Sequence, residues 1–153
     1  MRCCTNSESL VGADLTAEIV HDIFDSIFVD AKIQTDTINS ENNTCLLEFD
    51  GQKVTIQIHK QSLGHVRMYS MWGVDPNVSE TTVLNAVNDR NAYSFHRVYV
   101  RTWGDGTRSI LFDYLWLYPP VVDKRFFVKT VREFASDVWR AVRSKEIQAV
   151  LKP

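Results

Sequence analysis

The sequence is poor in the residue patterns from which catalytic and metal centres are usually built. Its three cysteines, Cys3, Cys4 and Cys45, do not have metal-ligand spacing, and adjacent cysteines cannot form a relaxed disulfide. Its four histidines form no i, i+4 pair and are near no cysteine pair. The nucleophile-elbow pattern G-x-S-x-G and the glycine patterns of phosphate-binding loops are missing too. We therefore expect reduced thiols, no metal, no cofactor and no enzymatic activity.

Long apolar runs and a strong net charge are also missing. The longest apolar run, residues 114–122, is too short to span a bilayer and contains Pro119 and Pro120. The N-terminus has no basic start followed by an apolar run, which a signal peptide would need. The net charge of -2 gives no general attraction to nucleic acid. These absences predict a cytoplasmic protein without stable membrane association and without a nucleic-acid partner.

What the chain does have is the make-up of an ordinary globular domain. With 153 residues, of which 44% are hydrophobic and 24% charged, it can bury a core without disulfides or metals. We expect a flexible N-terminal tail over residues 1–13, one domain over residues 14–146 and a C-terminal tail over residues 147–153. The charge is uneven, because residues 1–50 contain two basic and ten acidic residues.

Hydrophobic periodicity and capping residues predict three helices. Val20, Phe24 and Ile27 recur at helical steps within residues 14–29. Ser79 is a candidate N-cap for a second helix that ends near residue 93, and Asp123 for a third that runs to about residue 146. The inward face of the third helix is apolar and consists of Phe127, Val131, Phe134, Val138 and Val142.

The strands predicted between these helices are antiparallel. The turn signals Asn42-Asn43 and Asp50-Gly51, the alternation of residues 53–59 and the candidate strand over residues 65–72 predict an antiparallel meander of three strands. Residues 31–38 would add a fourth strand. Residues 95–103 and 108–117 flank Gly104-Asp105-Gly106, a strong hairpin signal. Because no crossover helices connect consecutive strands, the fold class is α+β, with helices packed on one antiparallel sheet in the order α-β-β-β-α-β-β-α.

Two rows of like charge face away from the apolar rows of their helices. The basic stripe on the third helix consists of Arg125, Lys129, Arg132, Arg140 and Arg143, and the acidic stripe near the first helix consists of Asp14, Glu18, Asp22 and Asp25. Solvated faces with local pairs such as Lys129–Glu133 would explain both stripes. A basic amphipathic helix can also lie on an anionic membrane, but the apolar face of this helix is needed for the core. Our hypothesis is protein docking, either onto an acidic partner or between the stripes of two copies, and it predicts that reversing Arg132 and Arg140 to glutamate weakens the association.

Polar residues of the second helix and the last strand offer a rival site. Asn85 and Asn88 share a helix face, with Arg90 close to the following turn. They could hold a ligand, or they could tie the helix to neighbouring backbone. Asp113 lies between Leu111 and Leu115 and would be an acid with a raised pKa if that face were buried. Since the sequence identifies no partner for a buried carboxylate, we expect Asp113 at an edge or partly wet position.

The stretch Leu84-Asn85-Ala86-Val87-Asn88-Asp89-Arg90, followed by Phe95, Tyr99 and the Gly-Asp-Gly hairpin, resembles the YbjN family, also called bacterial sensory transduction regulators. The resemblance covers residues 14–146. It implies a fold similar to type III secretion chaperones, frequent dimerisation, and a structural role for Asn85, Asn88 and Arg90. One departure is at Tyr118-Pro119-Pro120, where the family tends to have glycines.

The resemblance also implies a class of function, because the family has no agreed enzymatic activity. We expect a non-enzymatic protein-interaction module, regulatory or chaperone-like, that binds a protein partner or a second copy through its sheet face or its charged stripes. The alternative is a small-molecule sensor or enzyme with a polar pocket around Asn85, Asn88, Arg90 and Asp113.

Overall fold

The computed structural model describes residues 9–27, 34–39, 41–49, 51–60 and 64–153. Its elements, in chain order, are β1 (Ser9–Val11), a 3-10 helix (Gly12–Asp14), α1 (Ala17–Ile27), β2 (Gln34–Asn39), β3 (Thr44–Phe49), β4 (Gln52–His59), β5 (His65–Gly73), α2 (Glu80–Asn91), β6 (Arg97–Thr102), β7 (Arg108–Leu117), β8 (Val121–Asp123), α3 (Lys124–Val142) and α4 (Lys145–Gln148).

Six of the strands form one antiparallel sheet with the order β2-β3-β4-β5-β7-β6, and β1 pairs with β8 in a separate two-stranded ribbon. The predicted α+β class, with helices packed on one antiparallel sheet, is confirmed. Four strands of this sheet, β2 to β5, precede α2, so the fourth candidate strand is present at Gln34–Asn39.

The helices begin where their capping residues predict. The Asp123 carboxylate accepts a hydrogen bond from the Phe126 N–H at 2.7 Å, and the Ser79 hydroxyl accepts one from the Thr82 N–H at 3.2 Å. The apolar row of α3 lies in the core, with Phe127, Val131, Phe134, Val138 and Val142 all buried. Of the residues predicted to face inward from α1, Val20 and Phe24 are buried, while the side chain of Ile27 lies outside the described part. No helix among the described residues is long and apolar enough to cross a membrane.

The core lies between the helices and one face of the sheet. Along the central strands alternate residues point to this face, such as Val66 and Met68 on β5 and Ile110 and Phe112 on β7, and all four are buried. The helices α1, α2 and α3 contribute to this same cluster. The other face of the sheet therefore has none of these helices against it.

Both ends of the described chain are tied to this core. Leu10 of β1 pairs with Val122 of β8, and the C-terminal residues Ile147 and Val150 are buried. The Lys152 N–H donates to the Gly73 carbonyl at 3.0 Å. Residues 9–13 and 147–153, which the sequence analysis assigned to tails, thus belong to the fold, whereas residues 1–8 lie outside the described part.

The ribbon of β1 and β8 requires a glycine beside it. A Cβ on Gly12 would lie 2.8 Å from the Pro119 carbonyl oxygen and 2.8 Å from the Tyr118 ring. The Gly12 N–H also donates to the Pro120 carbonyl at 2.7 Å. The Tyr118-Pro119-Pro120 segment is therefore the partner of the N-terminal turn.

The exposed edge of β6 is blocked by a side chain from α2. The Asn91 amide accepts from the Val98 N–H at 2.8 Å and donates to the Val98 carbonyl at 2.6 Å. Asn91 therefore occupies the place of a neighbouring strand at this residue, and an unpaired edge is a known liability for association between sheets.

Candidate docking surfaces

The basic stripe lies on the solvent side of α3. Arg125, Lys129, Arg132, Arg140 and Arg143 are all exposed. Arg140 Nη2 lies 3.4 Å from Asp137 Oδ1, and the Arg143 guanidinium lies 3.8 Å from the centre of the Trp139 ring. The stripe is thus a continuous basic helix face with an exposed aromatic residue beside it.

The acidic stripe is less regular than the sequence suggests. Glu18, Asp22 and Asp25 are exposed on α1, but Asp14 is the last residue of the 3-10 helix that precedes it. The burial of Cys45 and then the charge of Glu18 raise the pKa of that thiol to about 11. Helix α1, which carries Glu18, Asp22 and Asp25, packs against strand β3.

Asn85 and Asn88 of α2 do not tie the helix to the sheet. Asn85 and Asn88 are exposed, and neither makes a side-chain hydrogen bond to any residue that the structure describes. Asn91, which the sequence analysis did not single out, makes that contact instead. Arg90 points towards α3, with Nη2 3.0 Å from Asp137 Oδ1.

Asp137 is the centre of a buried polar cluster between α2, β6 and α3. Its Oδ2 lies 2.9 Å from His96 Nδ1, while its Oδ1 accepts from Arg90. Burial, which outweighs the nearby carboxylate, lowers the pKa of His96 below its usual value of 6.5. His96 Nε2 has no hydrogen-bond partner among the described atoms, and the ring is fully buried. A histidine without access to solvent or to a nucleophile cannot act as a general base, so we assign this cluster a structural role.

Asp113 is not at a wet or edge position. It is 2% exposed on β7, which lies between β5 and β6, and the face that carries it points away from the helices. Arg67 Nε donates to its Oδ1 at 2.9 Å, and Arg97 Nη2 donates to its Oδ2 at 2.7 Å. The hydrogen bond that Arg67 donates to the Asp113 carboxylate raises the pKa of the Arg67 guanidinium. The partners that the sequence could not identify are therefore two arginines on the neighbouring strands.

The predicted pocket around Asn85, Asn88, Arg90 and Asp113 is not formed. Asp113 lies on the sheet face opposite the helices, and Arg90 is paired with Asp137. A separate groove of about 440 Å³ runs between α2 and α4 and contains Asn85, with Asp89 and Glu146 along it. Of the four residues predicted to form the pocket, only Asn85 lines this groove.

The sheet face without helices carries a mixture of apolar, aromatic and charged side chains. We call it the open sheet face and define it by the alternate residues Leu46 and Glu48 of β3, Lys53 and Thr55 of β4, Arg67, Tyr69 and Met71 of β5, Leu111, Asp113, Leu115 and Leu117 of β7, and Arg97, Tyr99 and Arg101 of β6. Strand register places Tyr69, Asp113 and Arg97 in one row across β5, β7 and β6. Met71, Leu111 and Tyr99 form the next row.

Several side chains of this face project apolar surface into solvent. Met71 is 51% exposed, Leu115 is 46% exposed and Leu117 is 66% exposed. Scattered exposed apolar residues are normal, but these three lie on two adjacent strands. Tyrosine, arginine and methionine are enriched at the centres of protein interfaces. The open sheet face thus has the composition of a docking surface.

The sheet face was one of the two docking surfaces expected from the sequence, and strand β7 carries a signal for it. Both sets of alternate residues in β7 contain large apolar side chains, with Ile110 and Phe112 in one set and Leu111, Leu115 and Leu117 in the other, which Asp113 interrupts. An antiparallel strand that faces water on one side alternates between apolar and polar. Since three helices suffice for only one face of a six-stranded sheet, the second apolar row indicated a surface in need of a partner.

Comparison with known proteins decides the fold. No family profile and no curated protein sequence matches the chain. The crystal structure of YbjN from E. coli, described as a candidate transcription regulator, superposes with a TM-score of 0.68 over 89% of this chain and 95% of that one, at 12% sequence identity. The chain has a YbjN-like fold.

A second similar structure is an uncharacterized protein from Methanothermobacter thermautotrophicus. It superposes with a TM-score of 0.60 over 88% of this chain and 98% of that one, at 11% identity. Both likenesses extend over nearly the whole length of both chains, so the YbjN-like fold is complete here and the resemblance stated from the sequence is confirmed at the level of fold. At these identities the shared fold says nothing about a shared partner or activity.

Proposed function

We propose that this YbjN-like chain is a non-enzymatic protein-interaction module and that the open sheet face is its docking surface. The observation that supports this most is the one-sided covering of the sheet. The described helices bury one face, whereas the other, which also carries arginine and tyrosine side chains, presents Met71, Leu115 and Leu117 to solvent.

The composition of the face favours a protein partner over a small molecule. A small-molecule site is concave and encloses most of its ligand, whereas this face is a sheet surface that extends across β3 to β7. Protein interfaces combine apolar anchors with arginine and tyrosine and need an area of about 800 Å² per partner. A six-stranded sheet offers a surface on that scale.

A matched pair of double variants tests the proposal. Met71→Gln with Leu115→Gln removes two apolar contacts from the open sheet face. Leu84→Gln with Tyr93→Gln removes two exposed apolar side chains, 42% and 79% exposed, from the region of α2 on the helix side. Quantitative affinity capture from the source cells should show partners of the wild type that the first variant retains about tenfold less and the second retains in full.

One outcome of this affinity capture would contradict the proposal. If both double variants retain the same partners, the open sheet face is not the docking surface. Thermal unfolding of both variants must stay close to that of the wild type, since all four side chains are exposed and contribute little to the core.

The charged stripes supply a competing docking surface within the same function. Lys129→Glu reverses the charge of one exposed stripe residue, and Arg132→Glu with Arg140→Glu reverses two more. Loss of partners in these variants, with full retention in the Met71 and Leu115 variant, would assign docking to α3 instead. If the stripe variants retain fewer partners than the wild type at low salt but not at higher salt, the stripe contributes a surface electrostatic attraction.

A small-molecule sensor is the second candidate, supported by the groove between α2 and α4. The groove holds the Asn85 amide beside apolar Ala86 and Val150. A thermal-shift screen against a metabolite panel tests it, with Asn85→Ala as the variant that should abolish any shift. The absence of any shift across the panel would leave the groove as a packing feature.

A further inference from the structure

We propose that the open sheet face selects partner segments that carry a carboxylate among apolar side chains, and that Arg97 receives the carboxylate. The inference rests on the proposed docking function and adds the chemistry of the partner. It follows from the charge, the exposure and the anchoring of the row that contains Tyr69, Asp113 and Arg97.

The cluster at the centre of the open sheet face carries an excess of positive charge. Both oxygens of Asp113 are occupied, Oδ1 by Arg67 Nε at 2.9 Å and Oδ2 by Arg97 Nη2 at 2.7 Å. Two guanidinium groups share one carboxylate, so one positive charge in the middle of the face is not neutralised. Among the described side chains of the face, four bases (Lys53, Arg67, Arg97, Arg101) stand against two acids (Glu48, Asp113). The surface therefore favours an anionic group.

Arg67 and Arg97, the two arginines that contact Asp113, differ in how firmly they are held. Arg67 is fixed, because its Nη2 also donates to the Tyr99 hydroxyl at 3.1 Å and its guanidinium lies 4.9 Å from the centre of the Tyr69 ring. Arg97 is 64% exposed and makes a single hydrogen bond, to Asp113, among the described residues. Arg97 thus has N–H donors to spare for a ligand, whereas Arg67 is only 27% exposed and its Nε and Nη2 are already engaged.

The Arg97 side chain is preorganised for binding a ligand. The Asp113 carboxylate already holds Arg97 in place, which lowers the entropy that an arginine loses when it binds a ligand. A planar guanidinium with free N–H groups binds a carboxylate with good geometry. Such a charge-assisted contact is stronger when apolar contacts around it exclude water.

The apolar side chains near Arg97 indicate what else the partner segment contains. Leu115 on the adjacent strand β7 lies one row to one side of Arg97, and Met71 on β5 lies one row to the other side. Both are about half exposed. These side chains offer nothing to a free anion or to a phosphate backbone, but they would bury aliphatic or aromatic side chains. An acidic residue flanked by apolar residues in a protein segment satisfies both requirements.

The experiment is an unbiased selection with a random twelve-residue peptide library displayed on phage, carried out on the purified full chain. Enriched peptides should contain Asp or Glu together with aliphatic or aromatic residues. Anisotropy titration of the enriched peptides should show affinity that falls with added NaCl. Replacement of the acidic residue by its amide in the same peptide should weaken binding about tenfold, as expected for a hydrogen bond between charged groups.

Variants of two neighbouring arginines supply the matched control. Arg97→Gln should weaken binding of the acidic peptide about tenfold, because the charge-assisted contact is lost. Arg101→Gln, on the same strand and face, should leave binding within about threefold, because the Arg101 guanidinium lies over the Trp103 ring, 4.2 Å from its centre, and not in the central row. Arg97→Lys should recover part of the affinity of Arg97→Gln.

Failure of this inference is distinguishable from failure of the docking function. Enriched peptides without acidic residues, or equal binding by Arg97→Gln and the wild type, would overturn the role of Arg97. If those peptides are still lost from the Met71 and Leu115 double variant, the docking function stands. Peptides that bind that double variant as tightly as the wild type, or tighter binding of an oligouridine RNA at the same face, would overturn both proposals.

Discussion

Removal of the Asp113 charge should destabilise the fold by a moderate and calculable amount. Asp113→Asn keeps the size of the side chain but leaves two arginines without their shared carboxylate. Removal of one partner from a fully buried ion pair costs about 3–5 kcal/mol. The cost is smaller here, because Arg97 is 64% exposed and can turn to water, while Arg67 keeps the Tyr99 hydroxyl. We expect a loss of about 2 kcal/mol in the free energy of unfolding.

The same geometry predicts a much smaller effect for Arg97→Gln. The Asp113 carboxylate would retain Arg67, with Nε at 2.9 Å and Nη2 at 3.4 Å, so we expect a loss of about 0.5 kcal/mol. Urea unfolding followed by far-UV circular dichroism measures both variants, and equal m values are needed for the comparison. A cost for Arg97→Gln that equals that of Asp113→Asn, or a neutral Asp113→Asn, would refute the reasoning.

Three further predictions concern other parts of the fold. Asn91→Ala should cost about 1–2 kcal/mol in urea unfolding, because it unpairs the N–H and carbonyl of one residue of β6, whereas Asn88→Ala should be neutral. Because burial lowers the pKa of His96 below 6.5, the unfolded chain binds its proton first, so stability should fall as pH drops below about 6.5, by at most about 1.4 kcal/mol per pH unit. His96→Gln should remove that slope in pH-dependent unfolding, and a slope that persists in the variant would contradict the assignment. In a chain with Cys3 and Cys4 replaced by serine, the Cys45 thiol, with a pKa of about 11, should react with a disulfide reagent only on unfolding; rapid reaction of the folded chain would contradict its burial.

Local chemistry made the helices and one hairpin predictable. Asp123 and Ser79 cap helices as expected because a capping contact spans only three residues. The turn at Gly104-Asp105-Gly106 is equally local, with Gly106 at a φ of 81° that favours glycine. The apolar period of α3 gave its buried face correctly because a long helix packs one stripe against a sheet.

Contacts between distant residues were not predictable in the same way. The Asp113 cluster depends on the register of three strands and joins residues 46 positions apart, which no local pattern encodes. The three-residue strand β1 is too short to show alternation, and it is defined only by its partner β8. Asn91, and not Asn85 or Asn88, ties α2 to the sheet, because Asn91 lies at the end of α2, opposite the edge of β6.

The most direct test of the central claim is site-specific photo-crosslinking from the two sides of the molecule. A benzophenone amino acid is placed at position 115 on the open sheet face or at position 84 on α2, where the native leucines are 46% and 42% exposed. In the source cells, position 115 should crosslink to a protein whose contact segment, identified by mass spectrometry, contains acidic and apolar residues, and position 84 should not. Crosslinks from position 84 alone, or none from position 115 while the chain is folded and abundant, would contradict the account.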